Sequence, residues 1–148
     1  MEERFETFTV LITRINRCIK KIKTEEMAKF NLKSPHVSCL YYLFKQGQLT
    51  AKELCDLCFE DKGAISRSLV YLEHQGYLMS HSKTQKKYKS PIELTEKGKM
   101  IGKEIVLKVD EVVEDISKGL SKEERKMMYQ SLFLINDNLT KMCEKYGE

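Results

Sequence analysis

Long apolar runs are missing from these 148 residues. No stretch approaches the roughly 18 consecutive apolar positions that a membrane-spanning helix requires, and the acidic opening MEERFE is not a secretory leader. The expected compartment is therefore the cytoplasm, with no membrane association. Proline and glycine are scarce, at two and seven, and no repeat, low-complexity tract or Pro/Gly/Ser linker divides the chain. One domain, or one lobe with associated helices, is the organisation this leaves. Enzymatic signatures are absent too: there is no G-x-S-x-G, no P-loop, no G-x-G-x-x-G and no His-rich motif, and His36, His74 and His81 stand singly. No enzyme, catalytic residue, cofactor or metal is expected. Five cysteines, an odd number without a leader, argue for reduced thiols rather than a disulfide framework. Cys55-x-x-Cys58 has zinc-like spacing, yet it lies on a helical face beside Leu54 and Leu57 with no second ligand pair, and reads as buried thiols. Cys39 and Cys143 read as core or seam residues. Charge of one sign is also in short supply: the net charge is only +4, so any polyanionic partner must meet a local patch.

What is present is 41% hydrophobic and 32% charged residues, the balance of a soluble globular chain. Thr50-x-x-Glu53 is a capping box that starts a helix carrying Leu54, Leu57 and Cys58. Asp61 suits the N-cap of a second helix, from Lys62 to about Gln75, which stops at Gly76; only Phe59 and Glu60 separate the two. In that second helix Ile65, Leu69 and Leu72 form a buried stripe, leaving Lys62, Gly63, Ser66, Arg67, Val70 and Tyr71 for a partner. Two strand-like pieces follow, Tyr77-Leu78-Met79 and Ile92-Glu93-Leu94, and the tip between them carries Lys83, Lys86, Lys87 and Lys89 without an acid. This order is that of a winged helix-turn-helix, which sets one helix in the DNA major groove and a β-hairpin beside it. The expected contacts are Thr50, Lys62, Gly63, Ala64, Ser66, Arg67 and Tyr71, joined by the four lysines of the tip. Small residues at the helix start permit close approach, and Arg67 can form a bidentate contact to guanine. Residues 77 to 95 hold four lysines against Glu93 alone, a net +3; residues 49 to 76 hold three cations against five acids, a net −2. Phosphate contact therefore falls to the wing and to helix N-termini.

An earlier helix, about Ser34 to Lys45, has Ser34 as its expected N-cap and Pro35 at the first helical position, and ends at Gln46-Gly47-Gln48. At the N-terminus Phe5, Phe8, Ile12, Ile15, Ile19 and Ile22 repeat at spacings of three and four, a heptad seam. Near the other end Met128, Leu132, Ile135, Leu139 and Met142 do the same, in a helix opened by the capping box Ser121-x-x-Glu124. A further helix runs from about Glu96 to Lys118. Such narrow seams need partners, either within the chain or in a second copy.

The whole chain resembles the MarR family of bacterial transcriptional regulators. The resemblance rests on Leu49-Thr50-x-x-Glu53-Leu54, on Asp61-Lys62-Gly63-Ala64-Ile65-Ser66-Arg67, on Leu72-Glu73-x-x-Gly76-Tyr77-Leu78 and on Leu94-Thr95-x-x-Gly98. It implies a mainly α fold with a small β-hairpin wing: a winged helix-turn-helix lobe over 31–95, with dimerisation helices in 1–30 and 96–148. It implies a homodimer held through Phe5, Phe8, Ile12, Met128, Leu132, Ile135 and Leu139, reading a pseudo-palindromic double-stranded DNA operator, more as repressor than activator. Family members often respond to small ligands or oxidants. A small-molecule effector would sit near Ile15, Ile19, Tyr41 and Tyr42; an oxidant-sensing regulator would use Cys18, flanked by Arg14, Arg17 and Lys21. A winged-helix interaction module without DNA binding remains a further alternative. The family wing commonly carries Asp-x-Arg, whereas Ser82 to Lys87 here has neither residue; lysine lacks the planar fork of arginine, so this wing is expected to anchor on phosphates.

Overall fold

A computed structural model describes residues 5–79 and 89–147. In chain order it contains α1 (Phe5–Glu26), a 3-10 turn (Ala28–Phe30), α2 (Ser34–Gln46), β1 (Gln48–Leu49), α3 (Ala51–Cys58), α4 (Lys62–His74), β2 (Ile92–Glu93), α5 (Glu96–Ile116) and α6 (Lys122–Glu144). By packing, the chain divides within α5 into Met1–Val109 and Asp110–Glu148. Among the described residues no helix is long and apolar enough to cross a membrane.

The first unit is built on a core of Leu32, Leu40, Leu43, Leu54, Ile65, Leu72 and Ile105, drawn from α2, α3, α4, α5 and the turn before α2. Caps fix where these helices begin. The Thr50 Oγ1 accepts the Glu53 N–H at 3.2 Å, and Glu53 Oε2 accepts the Thr50 N–H at 2.7 Å. Asp61 Oδ1 accepts the Ala64 N–H at 2.8 Å. Three residues, Phe59, Glu60 and the Asp61 cap, lie between α3 and α4, and Phe59 takes a left-handed conformation at φ 52° to turn the chain. The predicted helix-turn-helix is thus present with the predicted starts.

Three local expectations give way. The N-cap of α2 is Lys33, not Ser34; the Ser34 N–H is bound by Thr24 Oγ1 at 3.1 Å, while His36 Nδ1 accepts the Lys33 N–H at 3.1 Å. Gln48 does not merely end α2: Gly47, at φ 87°, turns the chain so that Gln48–Leu49 pairs antiparallel with Ile92–Glu93. Of the expected strand Tyr77-Leu78-Met79, only Leu78 bridges, to Leu94, and the Met79 N–H donates to the Glu93 carbonyl at 2.9 Å.

The second unit contains the end of α5 and all of α6. Ser117, buried with its hydroxyl donating to the Val113 carbonyl at 2.7 Å, stands just past the end of α5. Ser121 Oγ accepts the Glu124 N–H at 3.1 Å and starts α6 by the predicted capping box. No residue of α6 is buried.

Hydrogen bonds from the Thr50 and Ser121 backbones hold the Glu53 and Glu124 carboxyls below the usual carboxylate range. A depressed folded-state pKa stabilises above the ordinary carboxylate value, and that stabilisation is lost as pH falls through the folded one. Thr50→Ala is expected to cost about 1 kcal/mol at neutral pH in urea titrations. Most of that gap should persist in acid, because the Glu53 N–H bond to the Thr50 hydroxyl does not titrate and alanine keeps the backbone N–H that holds the Glu53 carboxyl.

Candidate nucleic-acid interface

Helix α4 has one inward and one outward face. Ile65, Ser68 and Leu72 are buried and Leu69 is half-buried, so the inward stripe is the expected one with Ser68 added. A small side chain at 68 lets α4 lie close against the core. Lys62, Gly63, Ser66, Arg67, Val70 and His74 are exposed. Ser66, Arg67, Val70, Tyr71 and His74 line an open groove of about 450 Å³ along the helix.

Lys62, Gly63, Ser66 and Arg67 are brought together at the N-terminal end of this face, where the helix dipole favours an anion. A methyl group at Gly63 would come within 3.1 Å of Asp61 Oδ1 and 3.2 Å of Arg67 Nη1. The missing side chain is what lets the Arg67 fork fold back over the first turn. Val70, at 61% exposure, adds an apolar patch of the kind that meets a thymine methyl.

Other expected contacts are placed differently. Thr50 is half-buried, and its hydroxyl is committed to Glu53. Ala64 is half-buried. Tyr71 donates its hydroxyl to the Asn31 carbonyl at 2.6 Å and stacks on the His36 ring at 4.3 Å, which ties α4 to α2. Lys89 is exposed, while Lys83, Lys86 and Lys87 lie outside the described residues. His74 was missed from sequence; its spacing of four from Val70 and seven from Arg67 puts it on the same face.

The start of α5 is fastened to the chain that leaves α4. Thr95 Oγ1 donates to the Gly76 carbonyl at 2.6 Å and accepts the Gly98 N–H at 3.0 Å, and Lys97 Nζ donates to the Gln75 carbonyl at 2.7 Å. These bonds orient the end of α4 relative to the strand that returns from the wing. They give the Leu94-Thr95-x-x-Gly98 pattern its physical content.

Residues 32–98 match the family model of the winged helix DNA-binding domain. A MarR transcriptional regulator from Methanosarcina mazei superimposes with a TM-score of 0.83 at 21% identity, over 95% of this chain and 94% of that one. The chain has the MarR fold. A MarR protein from Peptoclostridium difficile gives a TM-score of 0.85 at 14% identity, over 98% and 95% of the two chains. A putative MarR family regulator from Listeria monocytogenes, solved with a 26mer DNA, gives 0.79 at 22% identity, over 100% and 97%. No curated protein matches in sequence.

The expected seams and the remaining sites lie on this MarR fold as follows. In α1, Ile12, Ile15 and Ile19 are exposed, Phe8 and Ile22 are half-buried, and the Phe5 side chain falls outside the description. In α6, Leu132, Leu139 and Met142 are exposed and Met128 and Ile135 half-buried. Tyr41 and Tyr42 meet edge to face at 5.3 Å and are half-buried on α2. Cys18 is exposed on α1.

Proposed function

We propose that this chain is a transcriptional regulator that binds a pseudo-palindromic DNA operator as a homodimer and acts as a ligand-responsive repressor. The observation that carries the reading is the N-terminal face of α4, where Lys62, Gly63, Ser66 and Arg67 are presented together on a rigid, capped helix. The match of residues 32–98 to a DNA-binding domain family and the Listeria relative solved with DNA support it. So does the charge pattern, since the wing segment holds the net positive charge that the helix pair does not.

Dimerisation is supported by α1 and α6, which expose Ile12, Ile15, Leu132 and Leu139 at heptad spacing. Residues 1–30 and 96–148 would supply the two-fold contact and 31–95 the reader. Two readers related by that axis would meet successive major grooves roughly 34 Å apart. An effector held beside Ile15, Ile19, Tyr41 and Tyr42 would favour one spacing of the lobes over another and so couple its own binding to DNA release.

Selection of bound fragments from genomic DNA, followed by mobility shift on the recovered sequence, tests this. The expected result is a palindromic site bound at two chains per duplex, with affinity falling steeply as salt rises. Chains that associate in pairs yet retard no genomic fragment would show instead an interaction module that does not bind DNA.

A further inference from the structure

The positive charge of this chain is concentrated on one helix. Residues 10–23, within α1, carry Arg14, Arg17, Lys20, Lys21 and Lys23 and no acid, a net +5; the whole chain carries +4, so everything outside that segment sums to −1. Lys23 turns inward, its Nζ donating to Ser38 Oγ at 3.1 Å. The other four are exposed, and among the described residues none of them meets a carboxylate in an ion pair. At about 100° per residue, Arg14, Arg17 and Lys21 fall within about 60° of one another, with Lys20 at their edge. That face points away from the stripe of Ile12, Ile15 and Ile19, so a partner seated on the stripe leaves the cations uncovered.

We propose that this face of α1 is a second DNA-contacting surface, one that lies along the phosphate backbone of double-stranded DNA outside the bases that α4 reads. It rests on the reading that the chain binds double-stranded DNA. The composition of the face favours a phosphate backbone over an acidic protein. Protein interfaces centre on apolar and aromatic anchors and are poor in lysine, whereas here the cations are interleaved with Thr13 and Asn16, the side chains that commonly meet phosphate and sugar. From Arg14 to Lys21 the helix rises about 10 Å, the axial length of about three phosphates on one strand. Arg14 and Arg17 add planar forks that can grip phosphate oxygens in pairs.

The face is tied to the reader through α2. Thr24 Oγ1 accepts the Ser34 N–H at 3.1 Å, and with the Lys23 bond to Ser38 it fastens the end of α1 to α2. On the other side of α2 the Tyr71 ring of α4 stacks on His36, and its hydroxyl donates to the Asn31 carbonyl just before that helix. A backbone contact made by α1 is thereby passed to the orientation of α4. The division of labour follows from charge. The helix pair over residues 49–76 is net −2 and cannot by itself draw a polyanion, while α1 supplies attraction that is independent of sequence and grows with each counterion released. Discrimination between sequences stays with α4.

The test follows binding of the full-length protein to a duplex of arbitrary sequence by fluorescence anisotropy over a series of salt concentrations. A fourfold variant combining Arg14→Gln, Arg17→Gln, Lys20→Gln and Lys21→Gln should bind at least about tenfold more weakly at about 50 mM salt. Its slope of log affinity against log salt should be shallower by about two to four per chain, since each phosphate contact contributes about 0.9. Arg14→Lys with Arg17→Lys should keep the parent slope, because a point charge still serves a phosphate. Where the fourfold variant does not fold, the Arg14→Gln/Arg17→Gln and Lys20→Gln/Lys21→Gln pairs carry the test, each with about half the change in slope. A folded variant that binds within about twofold of the parent at an unchanged slope would overturn the proposal. A parent chain that binds polyglutamate but no duplex would overturn it together with the DNA-binding reading. Failure of α4 alone shows differently: Arg67→Ala then leaves operator binding intact while the fourfold α1 variant still weakens it.

Discussion

Gly98→Ala is expected to lower the melting temperature by about 6 °C, a reversal of the usual sign for this substitution in a helix. A solvent-facing helical glycine replaced by alanine gains about 1 kcal/mol from backbone entropy and helix propensity. At Gly98 the added methyl would land on the Tyr77 carbonyl oxygen, with the Tyr77 carbonyl carbon and Leu94 Cδ2 each at 3.1 Å. The obstacle is backbone, and that carbonyl already accepts the Thr95 N–H at 3.1 Å. Relief therefore requires α5 to move off the chain leaving α4, breaking the Thr95 and Lys97 bonds that fasten the helix start. Overpacking of this kind costs about 3 kcal/mol, which outweighs the propensity gain. Gly102, one turn further on, provides the contrast. Its methyl would meet Phe44 Cβ and Cδ2 at 2.7 Å and Cγ at 2.8 Å, so Gly102→Ala should be partly rescued by trimming the ring with Phe44→Ala. No such second-site change can rescue Gly98→Ala. Thermal melts of the four proteins decide it, and a Gly98→Ala chain melting at or above the parent would refute the packing described for this helix start.

The parts of this molecule that could be read from sequence are those set by neighbours in the chain. Thr50, Asp61 and Ser121 announce their helices because a cap bonds a backbone N–H only three residues on. The periodic stripe of Ile65 and Leu72 likewise fixes which face of α4 turns inward. What escaped depends on distant partners. Gln48–Leu49 is two residues long and becomes a strand only because Ile92–Glu93 lies beside it, more than forty residues later. Tyr71 stands one turn past Arg67 and looks available on a helical wheel, yet Asn31 and His36 claim its hydroxyl and ring. The candidate reader was accordingly legible as a segment, and only in part as a set of residues.

Arg67→Ala is expected to weaken operator binding on the order of a hundredfold while leaving the folded state almost untouched. A bidentate arginine–guanine pair supplies about 1–3 kcal/mol of discrimination, and a two-fold dimer loses it in both half-sites. Arg67 is exposed and lies on the outward face, so its removal opens no cavity, and stability should change by less than about 0.5 kcal/mol. Arg67→Lys separates the two roles the residue could have. If Arg67 only met phosphate, lysine would restore most of the affinity, and alanine would lower the slope of log affinity against log salt by about one per contact. For a base contact, lysine restores little because it lacks the planar fork, and the salt slope of the alanine variant stays near that of the parent. Gly63→Val offers an independent check: its side chain would occupy the space beside Arg67 Nη1 and Asp61 Oδ1, so it should displace the fork and weaken binding without removing a charge. Mobility shifts on the selected operator at several salt concentrations measure all three variants. An Arg67→Ala protein that binds within threefold of the parent would remove α4 from the role of reader.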